Sequence, residues 1–294
     1  MNEKSIIDTI ENQDWLGKAG DAIQPVIINA FKSGGETGQK IKNFLHGTWL
    51  GHPLHPALTD VPIGAWTSAA VLDSMELSGN DNFKSGADAA VTIGIAGALA
   101  AAVAGLTDWT GTTRKKRKLG LMHGLLNVAA TSLYVTSLIL RRKEESRKAA
   151  IFYSLGGYAL VTASAWLGGH LVFTDQLGVD HSVPSTPYPK DFVAVLPESE
   201  LAENTMKCVK AGEIPVIVAK KDNQIYALAN TCTHMGGPLC EGTLLENAEV
   251  RCPWHGSVFS LKDGSVIDGP ATASEPAFDV RIRNGQIEVR HKQS

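Results

Sequence analysis

Two short stretches of the chain set a cysteine and a histidine almost side by side. In "CTHMGG" Cys232 is followed by His234, and in "RCPWHGS" Cys252 is followed by His255. The pattern is C-x-H, seventeen residues, then C-x-x-H. Thiolates and imidazoles are ligands of the borderline and soft transition metals. Two of each would satisfy a tetrahedral zinc ion. Structural zinc sites, however, usually open with two cysteines separated by two to four residues, whereas here each half offers one thiol and one imidazole. That division suits a binuclear centre, in which the two cysteines hold one iron and the two histidines the other.

The longer segments "CTHMGGPLCEG" and "CPWHGSVFSLKDGSVIDGPA" resemble the two cluster-binding loops of Rieske proteins, with the soluble Rieske ferredoxins as the nearest type. The resemblance covers residues 191 to 290. It implies a small all-β Rieske domain with a [2Fe–2S] cluster. By that resemblance Cys232 and Cys252 bind the inner iron, and His234 and His255 bind the outer one near the surface. It also implies that Gly236, Gly237, Gly256 and the Gly269-Pro270 turn shape the loops so that backbone N–H groups approach the sulfurs, which glycine permits because it lacks a Cβ. Ser257 is placed to donate to a sulfur. The chain departs from the high-potential respiratory subfamily, which clamps its loops with a disulfide. Trp254 occupies one of the expected cysteine places, so Cys240 has no partner in the second loop, and Cys240 and Cys208 are expected as buried structural thiols. Phe259 stands where that subfamily has a tyrosine donor. Fewer donors to the cluster place its potential in the lower part of the Rieske range, about −150 to +300 mV.

The domain that must carry these loops begins after a proline-containing linker, residues 176–190. Val280 and Ile282 alternate with polar residues, Asn284-Gly285 turns the chain, and Ile287 and Val289 alternate back. Asn-Gly between alternating runs is a strong hairpin signal. Further hairpins are expected over Phe259–Ile267 and around Lys221–Gln224. An all-β domain over 191–292 follows.

The preceding half is of another kind. Residues 89–107, 119–140 and 149–174 contain no Asp, Glu, Lys or Arg. A fourth run, 52–72, is interrupted only by Asp60. A spanning helix needs about 17–25 predominantly apolar residues, so the reading is an all-α four-helix transmembrane bundle over 45–175. Small residues recurring every fourth position, such as Gly94, Ala98 and Ala102, fit close helix packing in lipid. Residues 1–44 are polar with scattered apolar positions, as interfacial amphipathic helices or a loose tail would be. "GHPLHPALTDVPIG", Gly51 to Gly64, is similar to the signature of an uncharacterised family of predicted four-helix membrane domains, whose function carries nothing over.

An even number of spans returns the chain to the side on which it entered, side A. His52, His55, His123 and His170 fall in a shallow layer near that side, where the Rieske domain also emerges. Ionisable groups in a membrane are expensive and usually functional. Two of the four histidines are therefore candidates to ligate a haem b, or to help bind a quinone. Lys32, Lys40, Lys42 and the run Arg114–Lys118 lie on side A, against Lys84, Arg141, Arg142, Lys143, Arg147 and Lys148 on side B. The positive-inside rule then favours a cytoplasmic side A. The absence of a basic-then-apolar leader at the N-terminus points the same way.

A net charge of −3 offers no nucleic-acid surface. No nucleophile, oxyanion site or phosphate loop is evident, so no catalytic residue is assigned. A Rieske oxygenase would need a further domain holding iron by two histidines and a carboxylate, and only thirty-nine residues and one histidine follow His255. The function expected is a membrane-anchored, ferredoxin-like electron carrier that meets a donor or acceptor protein or a membrane redox carrier. A membrane oxidoreductase coupling haem or quinone to the cluster, and a cluster-based redox sensor, are the alternatives.

Overall fold

The structure is a computed structural model describing residues 3–292. It divides into two compact units, Met1–Gly38 with Leu54–Leu177, and Gln39–Pro53 with Gly178–Ser294. Residues 39–53, which the sequence reading shares between the N-terminal segment and the bundle, pack with the C-terminal unit.

In the first unit α1 (Glu3–Glu11) and α2 (Asp14–Ser33) are ordered helices. The buried amide of Gln24 donates to Trp109 O at 2.8 Å and Thr112 O at 3.0 Å, closing orphan carbonyls at a helix end. Four long helices follow: α4 (Leu54–Leu77), α5 (Lys84–Trp109), α6 (Arg114–Leu140) and α7 (Arg147–Phe173). The segments Asp81–Trp109, Arg114–Leu140 and Glu144–Phe173 are long and apolar enough to cross a membrane, with mean hydropathy of 2.1, 1.3 and 1.3. Helix α4 is not among them, because Asp60, Asp73 and Glu76 dilute its hydropathy. Ile93, Leu99, Val103, Val128, Ile139 and Phe152 are all exposed, as lipid-facing side chains would be.

The bundle repeats itself. Pro62, Trp66, Ala69 and Asp73 are buried on α4, and the residues 68 positions later, Ala130, Tyr134, Ser137 and Arg141, are buried on α6. Ala87, Val91, Gly94, Ala101 and Ala104 of α5 are matched, 63 positions later, by buried Ala150, Ser154, Gly157, Ser164 and Leu167 of α7. Equivalent residues of the two hairpins meet. Trp66 stacks on Tyr134 with centroids 4.0 Å apart and planes 5° off parallel. A Cβ on Gly94 would strike Trp66, and one on Gly157 would strike Tyr134. Asp73 pairs with Arg141, both essentially inaccessible to solvent. Arg141 also reaches Asp88 at 3.0 Å, and Arg147 holds Glu76 at 2.6 Å and Asp88 at 2.9 Å. One charge network therefore ties all four helices at one end.

The second unit opens with the end of α3 (Gly35–His46). It then builds two antiparallel sheets from β1 (Val193–Pro197), β2 (Thr205–Ala211), β3 (Ile214–Lys221), β4 (Gln224–Ala229), β5 (Thr243–Leu245), β6 (Glu249–Arg251), β7 (Val258–Ser260), β8 (Val266–Asp268), β9 (Ala277–Arg283) and β10 (Gln286–His291). The strand orders are β1-β10-β9-β4-β3-β2 and β5-β6-β7-β8. All three expected hairpins are present. Asp222 and Asn223 have φ of +54° and +59°, and Asn284 and Gly285 +52° and +72°, the left-handed pairs that tight hairpin turns require.

The expected linker is not free chain. Tyr188 donates to Ser182 O at 2.8 Å and stacks on His291 with centroids 4.5 Å apart. His181 N–H donates to Thr233 O at 3.0 Å. On the other side of the domain, Asn43 of α3 donates to Asp268 Oδ1 at 3.0 Å and accepts from Gly269 N–H at 3.1 Å, fixing the cis Gly269-Pro270 turn.

Candidate metal centre

The four-stranded sheet exists to carry two loops. Loop 1, residues 230–242, leaves β4 and enters β5; loop 2, residues 252–257, joins β6 to β7. They are built alike. Cys232 N–H donates to Gly237 O at 2.9 Å, and Gly236 N–H returns to Cys232 O at 2.8 Å. Cys252 N–H donates to Ser257 O at 2.8 Å, and Gly256 N–H returns to Cys252 O at 3.2 Å. Gly236 and Gly256 sit at φ of +75° and +79°, where a Cβ is costly. Each loop thus folds into a tight turn with a cysteine at its base and a histidine near its tip.

Cys232 and Cys252 are buried, 1% and 3% exposed, in a core with Leu239, Val250 and Phe259. The two thiols face each other: the contact with Cys232 lowers the Cys252 thiol, while the contact with Cys252 and burial raise that of Cys232. Metal binding takes both as thiolates and releases their protons. Backbone N–H groups of Trp254 and His255 point at the Cys252 sulfur, and that of His234 at Cys232.

His234 and His255 are half-buried, with ring centroids 4.9 Å apart and planes at 84°. Two imidazoles about 2.0–2.1 Å from one tetrahedral metal, with ring centres roughly 1.1 Å behind the nitrogens, have centroids about 5 Å apart. Trp254, 56% exposed, stands against His255 at 6.4 Å. Gly237 keeps the loops close: a Cβ there would lie 2.9 Å from Cys252 Sγ and 3.1 Å from the Trp254 ring. Ser257 is fully buried and its hydroxyl oxygen accepts from Ala271 N–H at 3.0 Å. The donor set therefore fits a binuclear cluster: two coupled thiols inside, two imidazoles outside, peptide donors around the sulfurs.

Two findings correct the sequence reading. Cys208 and Cys240 are not buried thiols. They form a disulfide, Cα atoms 5.4 Å apart, with Cys208 exposed and Cys240 half-buried. The bridge ties loop 1 to β2 and leaves loop 2 unclamped. Glu275 belongs to no motif in the sequence. It is 2% exposed and accepts from Thr233 N–H at 2.6 Å, between two candidate ligands. Burial holds its carboxyl well above the usual carboxylate range, with the Thr233 hydrogen bond opposing.

The four membrane-half histidines separate. His52 lies in the second unit, exposed, with Nδ1 against Pro53 O. His55 and His123 are brought together, centroids 6.2 Å apart and planes at 87°. His170 is near the end of α7, half-buried, outside that pair.

A family model for the Rieske [2Fe-2S] domain matches residues 191–283, and one described as "Predicted membrane protein (DUF2231)" matches 51–181. Ferredoxin CarAc of Metapseudomonas resinovorans is 31% identical over 99 residues, 33% of this chain and 92% of that protein. Human apoptosis-inducing factor 3 is 34% identical over 123 residues, 41% of this chain but only 20% of that protein, so the chain spans about a fifth of that relative. The solved ferredoxin of carbazole 1,9a-dioxygenase from Nocardioides aromaticivorans IC177 is 24% identical, with 34% of this chain and 98% of that chain covered and a TM-score of 0.33. Through its C-terminal half, behind a helical half of the predicted membrane family, this chain belongs to the Rieske [2Fe–2S] proteins.

Proposed function

We propose that the protein is a membrane-anchored one-electron carrier, with Cys232 and Cys252 holding one iron of its Rieske cluster and His234 and His255 the other. The matched architecture of the two loops carries this reading, because it presents two sulfurs inward and two imidazoles outward. Bound there, a Rieske cluster accepts and releases one electron at a time. The protein's own groups do the rest. Peptide N–H groups of His234, Trp254 and His255 stabilise charge on the sulfurs. Glu275 holds loop 1 through Thr233 N–H, and the disulfide ties the same loop to β2. The half-buried imidazoles and the exposed Trp254 ring form the surface on which an electron-transfer partner docks. CarAc carries the name ferredoxin, and an electron-carrying role is assigned to this domain.

The potential belongs to the lower part of the Rieske range. Phe259, fully buried, has no hydroxyl to offer; Ser257 Oγ accepts from Ala271 N–H, which orients the hydroxyl and leaves its O–H to donate. Three apolar spans support anchoring in a bilayer. Side A is assigned to the cytoplasm. The disulfide argues the other way, since reducing compartments keep thiols apart. The charge rule acts during insertion, before any bridge forms, and the exposed Cys208 leaves this bridge open to reduction.

Full-length protein in detergent, reduced with dithionite, should give a rhombic Rieske EPR signal with two irons and two acid-labile sulfides per chain. Stoichiometric zinc without sulfide would overturn the assignment. Thiol-reactive, membrane-impermeant labelling of a cysteine introduced at exposed Lys262 tests the side: labelling in inverted but not right-side-out vesicles is expected.

A further inference from the structure

We propose that His55 and His123 are the two axial ligands of a haem b iron within the helical unit. They occupy equivalent positions of the two hairpins, 68 residues apart, His55 as the second residue of α4 and His123 as the tenth of α6. His55 Nδ1 lies 2.8 Å from Ala101 O on α5, and His123 Nδ1 lies 2.8 Å from Ser164 O on α7. Ala101 and Ser164 are themselves equivalent. A carbonyl only accepts, so each ring carries its proton on Nδ1, and each leaves the Nε2 lone pair as the ligand. This is how metal-binding histidines are held in the right tautomer and orientation. One turn past each carbonyl stands a glycine that makes room for the ring. A Cβ on Gly105 would lie 2.8 Å from His55 Nδ1, and one on Gly168 3.2 Å from His123 Cε1.

The spacing selects the geometry. Imidazoles on opposite sides of one metal, each about 2.0 Å from it with ring centres roughly 1.1 Å further back, have centroids about 6.3 Å apart. The observed 6.2 Å matches that straight arrangement, whereas His234 and His255 at 4.9 Å match a bent one. The ligand count then selects the metal group. Among the described residues no third His, Cys, Asp or Glu joins the pair. Two protein ligands are too few for a bare zinc ion, which takes three or four, but they complete an iron that already has four porphyrin nitrogens.

Two aromatic rings also pack edge to face at 4.5–7 Å. A buried imidazole N–H needs an acceptor in any case; what sets this pair apart is that the repeat points both Nδ1 atoms at carbonyls and keeps two costly histidines together in an apolar bundle. Asn127 Nδ2 lies 3.1 Å from His123 Nε2. Its equivalent on α4 is Thr59, whose hydroxyl bonds Pro56 O instead, so this contact is not part of the repeat, and the proposal requires the Asn127 amide to turn away from the nitrogen. His170 has Thr107 at the equivalent position, so it has no symmetric partner.

Full-length protein from haem-replete cells, purified in detergent, is the material for the test. One haem b per chain by pyridine haemochromogen is expected, with a Soret band and a low-spin ferric EPR signal. His55→Ala and His123→Ala should each lower Soret absorbance per chain at least about tenfold while the reduced Rieske signal persists. His52→Ala and His170→Ala should keep both. His55→Met and His123→Met should retain haem with a shifted spectrum, and they carry the test if the alanine variants do not fold. No Soret band in protein with a full cluster, a band that survives both alanine variants, or a stoichiometric bare metal removed by either would overturn the proposal. Loss of the Rieske signal with haem intact would instead count against the electron-carrier reading alone.

Discussion

Gly237→Ala tests the site most directly, because its effect is steric and its control lies one residue away. The backbone at Gly237 is one that alanine adopts, so the added methyl is the only change. That carbon would lie 2.9 Å from Cys252 Sγ and 3.1 Å from Trp254 Cγ and Cδ2. Nonbonded contacts of this kind settle at about 3.5–4.0 Å, so the loops must part by roughly 0.5–1 Å. Overpacking of that size costs about 1–3 kcal/mol. A metal site tolerates only about ±0.2 Å in its ligand distances, so the larger consequence falls on the cluster. Gly236→Ala is the converse case. Its φ of +75° makes alanine strained by about 1–2 kcal/mol, but its nearest neighbours are 3.9 Å away and no sulfur moves. Iron and acid-labile sulfide per chain should fall at least about twofold in Gly237→Ala, or the EPR g-values should shift. In Gly236→Ala both should stay near the parent values while the melting temperature drops. A fully loaded Gly237→Ala protein with an unchanged EPR spectrum would refute the claim that Gly237 sets the distance between the loops.

Glu275 gives a pH signature. Burial raises its carboxyl above the value of about 4.3 that it has in the unfolded chain. The stability it contributes is thus complete below that value and declines as pH rises toward the folded pKa, by at most about 1.4 kcal/mol per unit. Glu275→Gln keeps the acceptor for Thr233 N–H and should gain on the parent between pH 5 and 8 in melts followed by Rieske circular dichroism; parallel curves would count against it. Cys208→Ser should destabilise the same transition by about 3–4 kcal/mol, the loop-closure term for some thirty residues, and dithiothreitol should reproduce it in the parent but not the variant. Arg141→Met leaves Asp73 buried without its partner, at a cost of about 3–5 kcal/mol. Adding Asp73→Leu should restore most of the thermal stability in detergent, and failure to do so would mean that the pair is not the source of the loss.

How much of this was legible in the sequence varies with the range of the interaction. The Asp222-Asn223 and Asn284-Gly285 turns were readable because a left-handed pair demands particular residues over two positions. The Cys-His loops were readable because metal chemistry restricts both type and spacing. The long helices were readable because lipid forbids charge over about twenty residues. The Cys208–Cys240 bridge was not, since a 32-residue separation carries no spacing rule and only the β2–β3–β4 register brings the two together. Thr233 and Glu275 are 42 positions apart, and a buried glutamate looks like any other in a string of letters. Arg141 and Arg147 read as a solvated basic cluster because the carboxylates that bury them lie on other helices. The repeat was hidden by its own chemistry: Trp66 faces Tyr134 and Asp73 faces Arg141, and apart from His55/His123, Gly94/Gly157 and Gly105/Gly168 the identical pairs within the helices are Leu and Ala matches that any apolar helices would share.

That last feature has a consequence for how such a bundle can be charged. Two identical hairpins associating about a twofold axis would set each on-axis residue against its own copy. Aspartate would then meet aspartate, or arginine meet arginine, at the very crossing where Asp73 now meets Arg141. Covalent joining of the halves frees each from copying the other, and a neutral pair closes a gap that a homodimer could close only with uncharged side chains.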